Sequence, residues 1–397
     1  MARITWEDAP RGTLDVFYEC TTELPFPLSP DPNAFLLAGL IPAFRHGERR
    51  VLVDGRICPR LRDGLIAVMK ALRGFYGLDR RLPFIEATGG FEPVVPAEPR
   101  STATLCSGGV DSLFSLRKNR RDFPSGHPYS VRHGILVFGH DYVLNQTSPW
   151  SAEFLRDVRA AMDRVTEDAG VHLIPMAFNL RELDDDLDFY TQEFCGPALA
   201  GAAHTLAKGI GTLLAPSSYE MGRLVPCSNH PLLDPNLSSS SLSLVHDGAA
   251  FSRLEKLRLV SEWPVGLANL RVCGQGPPPA TRLNCGFCEK CLRTRVGLLI
   301  LGRLHEATSF PPGDVTVAEL ERLPWTKGIE SFWPELLEGV RAIGRDDLAR
   351  PIDEKLAAAR RYTAWLQETD WRGSVKRLDR QFLGGALRRF YRTARGR

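Results

Sequence analysis

A short segment rich in glycine and hydroxyl groups has the residue types that bind phosphate. It reads Ser107-Gly108-Gly109-Val110-Asp111-Ser112. Glycines let the backbone turn sharply and approach a ligand closely, and the N-terminus of a following helix offers unpaired N–H groups and the positive end of its dipole. Ser107 and Ser112 add hydroxyl donors. Asp111 places a negative charge beside this anion site, which predicts a bridging Mg²⁺ ion that the carboxylate helps to hold.

The same segment has a plainer interpretation. Asp111 can serve as a helix N-cap, beside solvated serines and a glycine turn that binds nothing. The segment also lacks the Gly-Lys-Ser/Thr ending of a Walker A loop. A phosphate loop is nevertheless favoured, because a strand is predicted at residues 102–105 and a helix at 111–118, the context that such a loop requires.

Four cysteines form a second group with chemistry, namely Cys273, Cys285, Cys288 and Cys291. Their spacing predicts a closed tetrahedral Zn²⁺ site, which would be structural because no coordination position stays open. The last three also match part of a ferredoxin-type run, so an iron–sulfur cluster is the alternative. Free buried thiols are a third interpretation.

The other five cysteines carry weaker signals. Cys20, Cys58 and Cys195 are expected to be small buried side chains. Cys106 adjoins the glycine-rich segment and is expected to point into the core from its strand. Cys227 is the position at which a catalytic thiol remains an alternative.

Short apolar strands alternate with helices around both groups. The strands are predicted at residues 102–105, 134–138, 171–175, 212–215 and 269–272, and the helices at 111–118, 154–169, 197–208 and 252–262. Repeated βαβ units of this kind predict an α/β fold with a parallel sheet.

The chain is expected to divide into three parts. Residues 1–99 predict a separate small α+β domain, with strands at 14–18 and 50–53, an amphipathic helix over 61–75 and a proline-rich end. Residues 100–302 form the α/β domain. Residues 303–397 predict a helical region that ends in a basic tail at 372–397.

The composition excludes several classes of protein. The chain has 397 residues, of which 43% are hydrophobic and 24% are charged, so it is neither a collagen, a coiled coil nor a wholly disordered chain. A formal net charge of +3 is too small to indicate nucleic-acid binding by itself. No signal peptide or membrane span is predicted, so a soluble cytoplasmic protein is expected, and its nine cysteines favour metal over disulfides.

The segment 107–112 resembles the Ser-Gly-Gly-x-Asp-Ser signature of the PP-loop ATP pyrophosphatases, which have an adenine nucleotide alpha hydrolase-like fold. Together with the four cysteines, residues 101–302 look like the 7-cyano-7-deazaguanine synthase family. This resemblance implies ATP cleavage between the α and β phosphates, adenylation of a carboxylate or amide, and release of pyrophosphate. Arg253 stands where PP-loop ligases often have a lysine that contacts pyrophosphate.

The predicted parallel sheet also indicates where the substrates bind. Ligands of parallel-sheet proteins bind beyond the carboxyl ends of the strands, so Val137, Phe138 and His140 are expected to face adenosine. The acceptor substrate is expected at polar residues after the fourth predicted strand, which include Tyr219, Glu220, His230, Asp234 and Asp247. Asp111, Ser112 and Arg253 are the predicted catalytic residues.

Two departures from that family bear on the substrate. The family has a Tyr-Gly-Gln-Arg-type segment where this chain has Phe138-Gly139-His140-Asp141-Tyr142 followed by Gln146, and it lacks a counterpart of residues 1–99. The expected reaction is therefore ATP-dependent ligase or amidotransferase chemistry on a different small acid or amide, with ammonia or another amine as the donor. No oligomeric state is indicated.

Two other functions remain as alternatives. An RNA-modifying PP-loop enzyme, such as a tRNA thiolase or a lysidine synthetase, would use the basic tail, although an ordinary solvated surface is the favoured interpretation of that tail. A non-catalytic nucleotide-binding module is the second alternative.

Overall fold

The computed structural model of the chain describes residues 1–93, 100–140, 152–274, 283–323 and 329–366. The chain divides into two compact units, Met1–Asp314 and Val315–Arg397. The first unit contains the glycine-rich segment and the four cysteines. The described part of the second unit is largely helical, and the basic tail at 372–397 lies outside the described residues.

The strands of the first unit are, in chain order, β1 Ala2–Ile4, β2 Leu14–Val16, β3 Tyr18–Cys20, β4 Arg50–Val53, β5 Phe84–Ala87, β6 Ser101–Leu105, β7 Val131–Phe138, β8 His172–Phe178, β9 Ile210–Pro216 and β10 Ser243–Asp247. Its helices are α1 Pro32–His46, α2 Pro59–Tyr76, α3 Val110–Asp122, α4 Ala152–Asp168, α5 Leu187–Phe189, α6 Cys195–His204, α7 Arg253–Ser261, α8 Pro264–Ala268 and α9 Glu289–Ile300. The second unit has α10 Val317–Arg322, α11 Ile329–Ala342 and α12 Asp346–Leu366.

The main sheet has six strands in the order β10-β9-β6-β7-β8-β3. The five strands from β10 to β8 are parallel, and β3 pairs with β8 in the antiparallel direction. The prediction of an α/β fold with a mostly parallel sheet is therefore confirmed. Strand β6 pairs with both β7 and β9, so the segment after Leu105 begins near the middle of the sheet.

One strand was not predicted, and one strand prediction is wrong. Residues 243–247 form β10, which the sequence analysis did not predict, and the following Gly248 has a positive φ of 84° that ends the strand. Residues 269–272 are not a strand. The N–H of Arg271 bonds to the Gly108 carbonyl at 2.8 Å, and the N–H of Val272 bonds to Asn284 Oδ1 at 2.8 Å, so loop partners occupy its donors.

Residues 1–99 are packed into the same unit as the parallel sheet, so the predicted boundary at residue 99 does not separate two compact units. Strand β3 forms one edge of the main sheet, and α1 packs against α6. Helix α1 is buried on most of its surface, from Asn33 to Phe44. A helix that is apolar nearly all round needs cover on several sides, and here the sheet, α2 and α6 share one apolar core with it.

The helices of the second unit contact one another. Helices α10 and α11 both pack against α12, and Thr316 and Glu319 form a reciprocal capping box at the start of α10. Within the described residues of both units, no helix is long and apolar enough to cross a membrane.

Candidate functional site

The glycine-rich segment forms a tight turn between β6 and the N-terminus of α3. Gly109 is the N-cap of α3, and no side chain caps the helix there. Asp111 lies inside the first helical turn, so the alternative in which it caps the helix is not observed. The first N–H groups of α3 therefore stay available to a ligand.

Gly108 is required by the shape of this turn. Its φ of +82° is a conformation that side chains other than glycine rarely adopt. An added Cβ would lie 2.9 Å from Met162 Cε and 3.3 Å from Arg271 Cβ. The carbonyl of Gly108 accepts a hydrogen bond from the N–H of Arg271 at 2.8 Å, which fixes the turn against the segment that leads to the cysteines.

The two serines of the segment have different surroundings. Ser112 is buried, and its Oγ donates to the Gly109 carbonyl at 3.0 Å. Ser107 is exposed, and its Oγ accepts from the Gly109 N–H at 3.4 Å and lies 3.4 Å from Ser112 Oγ. The Ser107 hydroxyl is thus the one turned toward solvent and a ligand. Val110 is fully buried and packs in the hydrophobic core.

Asp111 is held by two cations from α7. Arg253 Nη1 donates to its Oδ2, and Lys256 Nζ lies 3.5 Å from its Oδ1. Ser252 and Glu255 form a capping box that fixes the start of α7, and so the position of Arg253. The structure therefore brings the predicted residues Asp111 and Arg253 together.

Lys256 is a site residue that the sequence analysis missed. Its side chain is 1% exposed, and its Nζ donates to the Ser217 carbonyl at 2.6 Å. Burial lowers the pKa of Lys256, whereas the neighbouring Asp111 raises it. The spacing of three residues from Arg253 could have revealed it, because such residues share one side of a helix.

Arg293, from α9, adds a third cation to this neighbourhood, and like Lys256 it is buried. Its Nη1 lies 3.6 Å from Glu289 Oε1, and its side chain is 8% exposed. Burial lowers the pKa of Arg293, Arg253 lowers it further, and Glu289 and Asp111 raise it. Cations gathered beside a carboxylate and a set of helical N–H groups suit a ligand with several negative charges.

A cavity of about 200 Å³ opens from the turn along the carboxyl ends of the strands. Its lining includes Ser107, Gly109, Asp111 and Ser112 on one side, Val137 and His140 at the end of β7, and Asp234. The structure thus brings these predicted residues together. Phe138 packs instead against the apolar cluster under α3 and α4, and Asp141 lies outside the described residues.

Asp234 is the predicted acceptor-side residue that lines the cavity. Its Oδ2 contacts His246 Nδ1 at 2.6 Å and accepts from Asn229 Nδ2 at 2.8 Å. Burial raises the pKa of Asp234, and the contact with His246 lowers it. His246 and Asn229 are polar residues of the same region, and the fold brings β10 beside the segment at Asn229 so that both contact Asp234.

The other four predicted acceptor residues have structural partners. His230 Nδ1 accepts from the Leu232 N–H at 3.1 Å, and its ring packs 4.8 Å from that of Phe75. Asp247 accepts from Ser115 Oγ at 2.5 Å, which ties β10 to α3. Glu220 forms an ion pair with Arg223 at 2.8 Å. Tyr219 is largely enclosed, and burial raises its pKa to about 12.

The four cysteines form a second, separate site. The sulfur atoms of Cys273, Cys285, Cys288 and Cys291 all lie within 4.8 Å of one another, and all four residues are buried. Cys285 Sγ and Cys291 Sγ are 3.8 Å apart. Tetrahedral ligands at a Zn–S distance of about 2.3 Å lie about 3.8 Å apart, so this group could bind a metal such as zinc.

Local structure shapes the cysteine cluster. Gly286 has a φ of +86°, and an added Cβ would lie 2.6 Å from Pro311 Cγ. Cys288 is the N-cap of α9, and its N–H donates to Cys285 Sγ at 3.3 Å. Buried Asn284 bonds the N–H groups of Val272 and Cys273, which attaches the distant cysteine to the close set.

A larger cavity of about 660 Å³ lies elsewhere, between the end of α9 and the loop that follows it. Its lining is mainly apolar and includes Leu299, Phe310 and Pro311. None of the predicted site residues lines it, so the smaller cavity beside the glycine-rich turn is the better candidate.

Comparison of the chain with protein families, with curated proteins and with solved structures finds no match.

Proposed function

We propose that this chain is an ATP-dependent enzyme of the PP-loop type. It adenylates a carboxylate or amide of a small molecule, releases pyrophosphate and transfers the activated group to ammonia or another amine. One observation carries the proposal: a glycine-bounded turn presents uncapped helical N–H groups and Ser107 to a cavity at the carboxyl edge of a parallel sheet, beside Asp111 and Arg253.

The residues of the turn have distinct tasks in this reaction. The N–H groups at the start of α3 and the Ser107 hydroxyl donate to phosphate oxygens. Arg253 stabilises the charge that grows on the leaving pyrophosphate, and buried Lys256 holds the Asp111 carboxylate in place. Val137, at the end of β7, also lines the cavity and is placed to contact the nucleoside.

Asp111 is the residue that would hold Mg²⁺. Its Oδ1 is buried, and its partner within the described residues is the ammonium group of Lys256, 3.5 Å away, so a bound Mg²⁺ would compete with that lysine for this oxygen. Mg²⁺ in such sites takes one or two carboxylates together with phosphate oxygens, and the ion neutralises phosphate charge when bound. The carboxylate supplied here matches that donor set.

The cysteine cluster is proposed to bind Zn²⁺ in a structural role. Four thiolates complete a tetrahedron and leave no position for substrate. The cluster also joins the segment that carries Arg271, whose N–H bonds the Gly108 carbonyl, so the metal would support the turn that binds phosphate. An iron–sulfur cluster is the alternative occupant, and colour distinguishes the two metals.

The test of this proposal is direct. The purified protein is titrated with ATP and Mg²⁺ in a calorimeter, then incubated with ATP and the low-molecular-weight fraction of a cell extract. We expect AMP, pyrophosphate and a metabolite of changed mass by mass spectrometry. ATP binding without AMP would favour the non-catalytic module, and AMP formed only with tRNA would favour the RNA-modifying alternative. Absence of ATP binding would overturn the proposal.

A further inference from the structure

A thiol and an imidazole meet in the same cavity. Cys195 Sγ lies 3.5 Å from His140 Nδ1, and the hydroxyl oxygen of Tyr190 lies 2.9 Å from that nitrogen. Cys195 and His140 both line the cavity that opens from the glycine-rich turn. Cys195 is only partly buried, so the expectation of a small buried side chain does not describe its position.

Local backbone structure places the three groups. Gly139 has a φ of +90°, so the chain turns sharply at the end of β7 just before His140. Residues Tyr190–Phe194 form a π-helical turn directly before Cys195, and such turns inside helices often occur at functional sites. Arg80 holds this turn through two contacts with buried Glu193, at 2.5 and 3.2 Å.

The other two thiols near the cavity lack these features. Burial raises the pKa of Cys106 to about 12, and its Sγ contacts Met162 Sδ at 3.8 Å. Burial raises the pKa of Cys227 to about 11, and its Sγ donates to the Asn229 carbonyl at 2.9 Å. An imidazole beside a partly exposed thiol can instead accept its proton and produce the nucleophilic thiolate.

We propose that Cys195 is the nucleophile that takes the acyl group from the adenylate, with His140 as its general base and Tyr190 as a positioning residue. This inference rests on the proposed function, because the adenylate is the product of the first step at the phosphate loop. It assigns the reaction to covalent acyl transfer through a thioester.

His140 Nδ1 has one lone pair, so it must first release its contact with the Tyr190 hydroxyl, and the Cys195 thiol proton then passes to that nitrogen. The sulfur attacks the acyl carbon, and the bond from that carbon to the AMP oxygen breaks with its electron pair on AMP. Ammonia or a primary amine then attacks the thioester. A C–N bond forms, the C–S bond breaks with its electron pair on sulfur, the sulfur takes back the proton held by His140, and the proton lost by the amine passes to water. No oxidant or reductant is needed.

The thiol is tested without a substrate. The rate of iodoacetamide labelling at pH 7 is measured for each cysteine by peptide mass spectrometry. Cys20 is the matched control, because it is also partly buried and its Sγ contacts the carbonyl and hydroxyl oxygens of Thr22 rather than an imidazole. We expect Cys195 to react about tenfold faster than Cys20, and that advantage to vanish in His140→Gln.

The acyl step is tested with acetyl adenylate, a simple acyl-AMP. We expect a hydroxylamine-labile acetyl group on Cys195 and none on Cys20. We expect acetyl transfer to be at least tenfold slower in His140→Gln, and to slow by a smaller factor in Tyr190→Phe. A parallel titration with AMP reports whether the nucleotide site works. AMP binding without acetylation of Cys195 overturns the covalent step and leaves the proposed function intact.

The remaining outcomes are also decisive. If Cys195 reacts with iodoacetamide no faster than Cys20 does, it is not an activated thiol and the inference fails. If the thiol is activated but neither AMP nor ATP binds, the proposed function fails and the acyl-transfer role falls with it. Rapid labelling, AMP binding and acetyl transfer together support both.

Discussion

The glycine-rich turn and the four-cysteine cluster are neighbours that are held in different ways. The turn depends on backbone geometry, namely the positive φ of Gly108 and one bond from the Arg271 N–H. The cluster depends on four buried sulfur atoms at distances that suit a single metal ion. The turn opens into a cavity, whereas the cluster is closed. The comparison teaches that an open turn leaves room for a ligand to enter and leave, as the proposed function requires, whereas a closed set of four thiols could hold a metal that stays bound.

Loss of a metal ligand should have the largest effect. We expect Cys291→Ser to lower the free energy of unfolding by more than about 4 kcal/mol, because a structural metal contributes folding energy directly. Urea denaturation and elemental analysis measure the two consequences. Cys20→Ser is the control and should leave metal content and stability nearly unchanged. Equal stability of both variants would mean that the cluster does not hold a structural metal.

Removal of the Asp111 charge should stop the chemistry and spare the fold. We expect Asp111→Asn to reduce AMP and pyrophosphate formation about 100-fold. Asp122→Asn, at the other end of α3, removes a partly exposed ion pair with Lys118 and should cost less than about twofold. Near-normal turnover in Asp111→Asn would show that the proposed reaction does not need the Asp111 carboxylate.

The two glycines of the turn allow a sharper comparison. Gly108→Ala forces a Cβ into Met162 and Arg271 at a positive φ, and we expect a loss of about 1–3 kcal/mol and weaker ATP binding. Gly109 has a φ of −74°, and an added Cβ meets nothing nearer than 3.5 Å. Gly109→Ala should therefore cost less than about 1 kcal/mol. A similar loss of stability in both variants would show that the turn does not distinguish an added Cβ at Gly108 from one at Gly109.

The pH dependence of stability should show a smaller effect, which comes from His133 in the main sheet and not from the four cysteines. Burial lowers the pKa of His133, on β7, from 6.5 to about 4, with further lowering by His172 and Arg132. The unfolded chain therefore binds the proton first, and stability should fall as the pH drops from about 6.5 to about 4, by on the order of 1–3 kcal/mol.

The measurement is the urea midpoint against pH for the wild type and for His133→Gln. The variant should lose this part of the acid dependence, and His305→Gln, at an exposed position, should retain it. An identical pH profile in all three proteins would assign the acid sensitivity elsewhere, with protonation of the cysteine ligands as the next candidate.

Local patterns predicted the parts of the site that are continuous in sequence. Strand β6, the turn and α3 follow one another directly, and three of the four cysteines lie within seven residues, so short-range spacing was enough. Two pairs of residues that only the fold brings together were missed. His140 and Cys195 are 55 residues apart, and the partners Asp234 and His246 come from different elements.

The same reason explains the errors in the fold. Strand β10 was missed because the residues at its end also suit a turn, and only its pairing with β9 distinguishes the two conformations. Residues 269–272 have a strand-like composition, but their backbone donors bond to the turn and to Asn284. The pairing of β3 with β8 joins residues about 160 positions apart in the chain, and no local sequence pattern predicts such a pairing.

Strand β3 also decides how this chain can be shortened. Tyr18, Glu19 and Cys20 lie opposite Phe178, Ala177 and Met176 on the outer edge of β8. A chain that began at residue 100 would keep the glycine-rich turn and the four cysteines, yet it would leave that edge without its antiparallel neighbour. Unpaired strand edges are templates for pairing with other chains. A chain shortened in this way is therefore expected to self-associate more readily than the full chain.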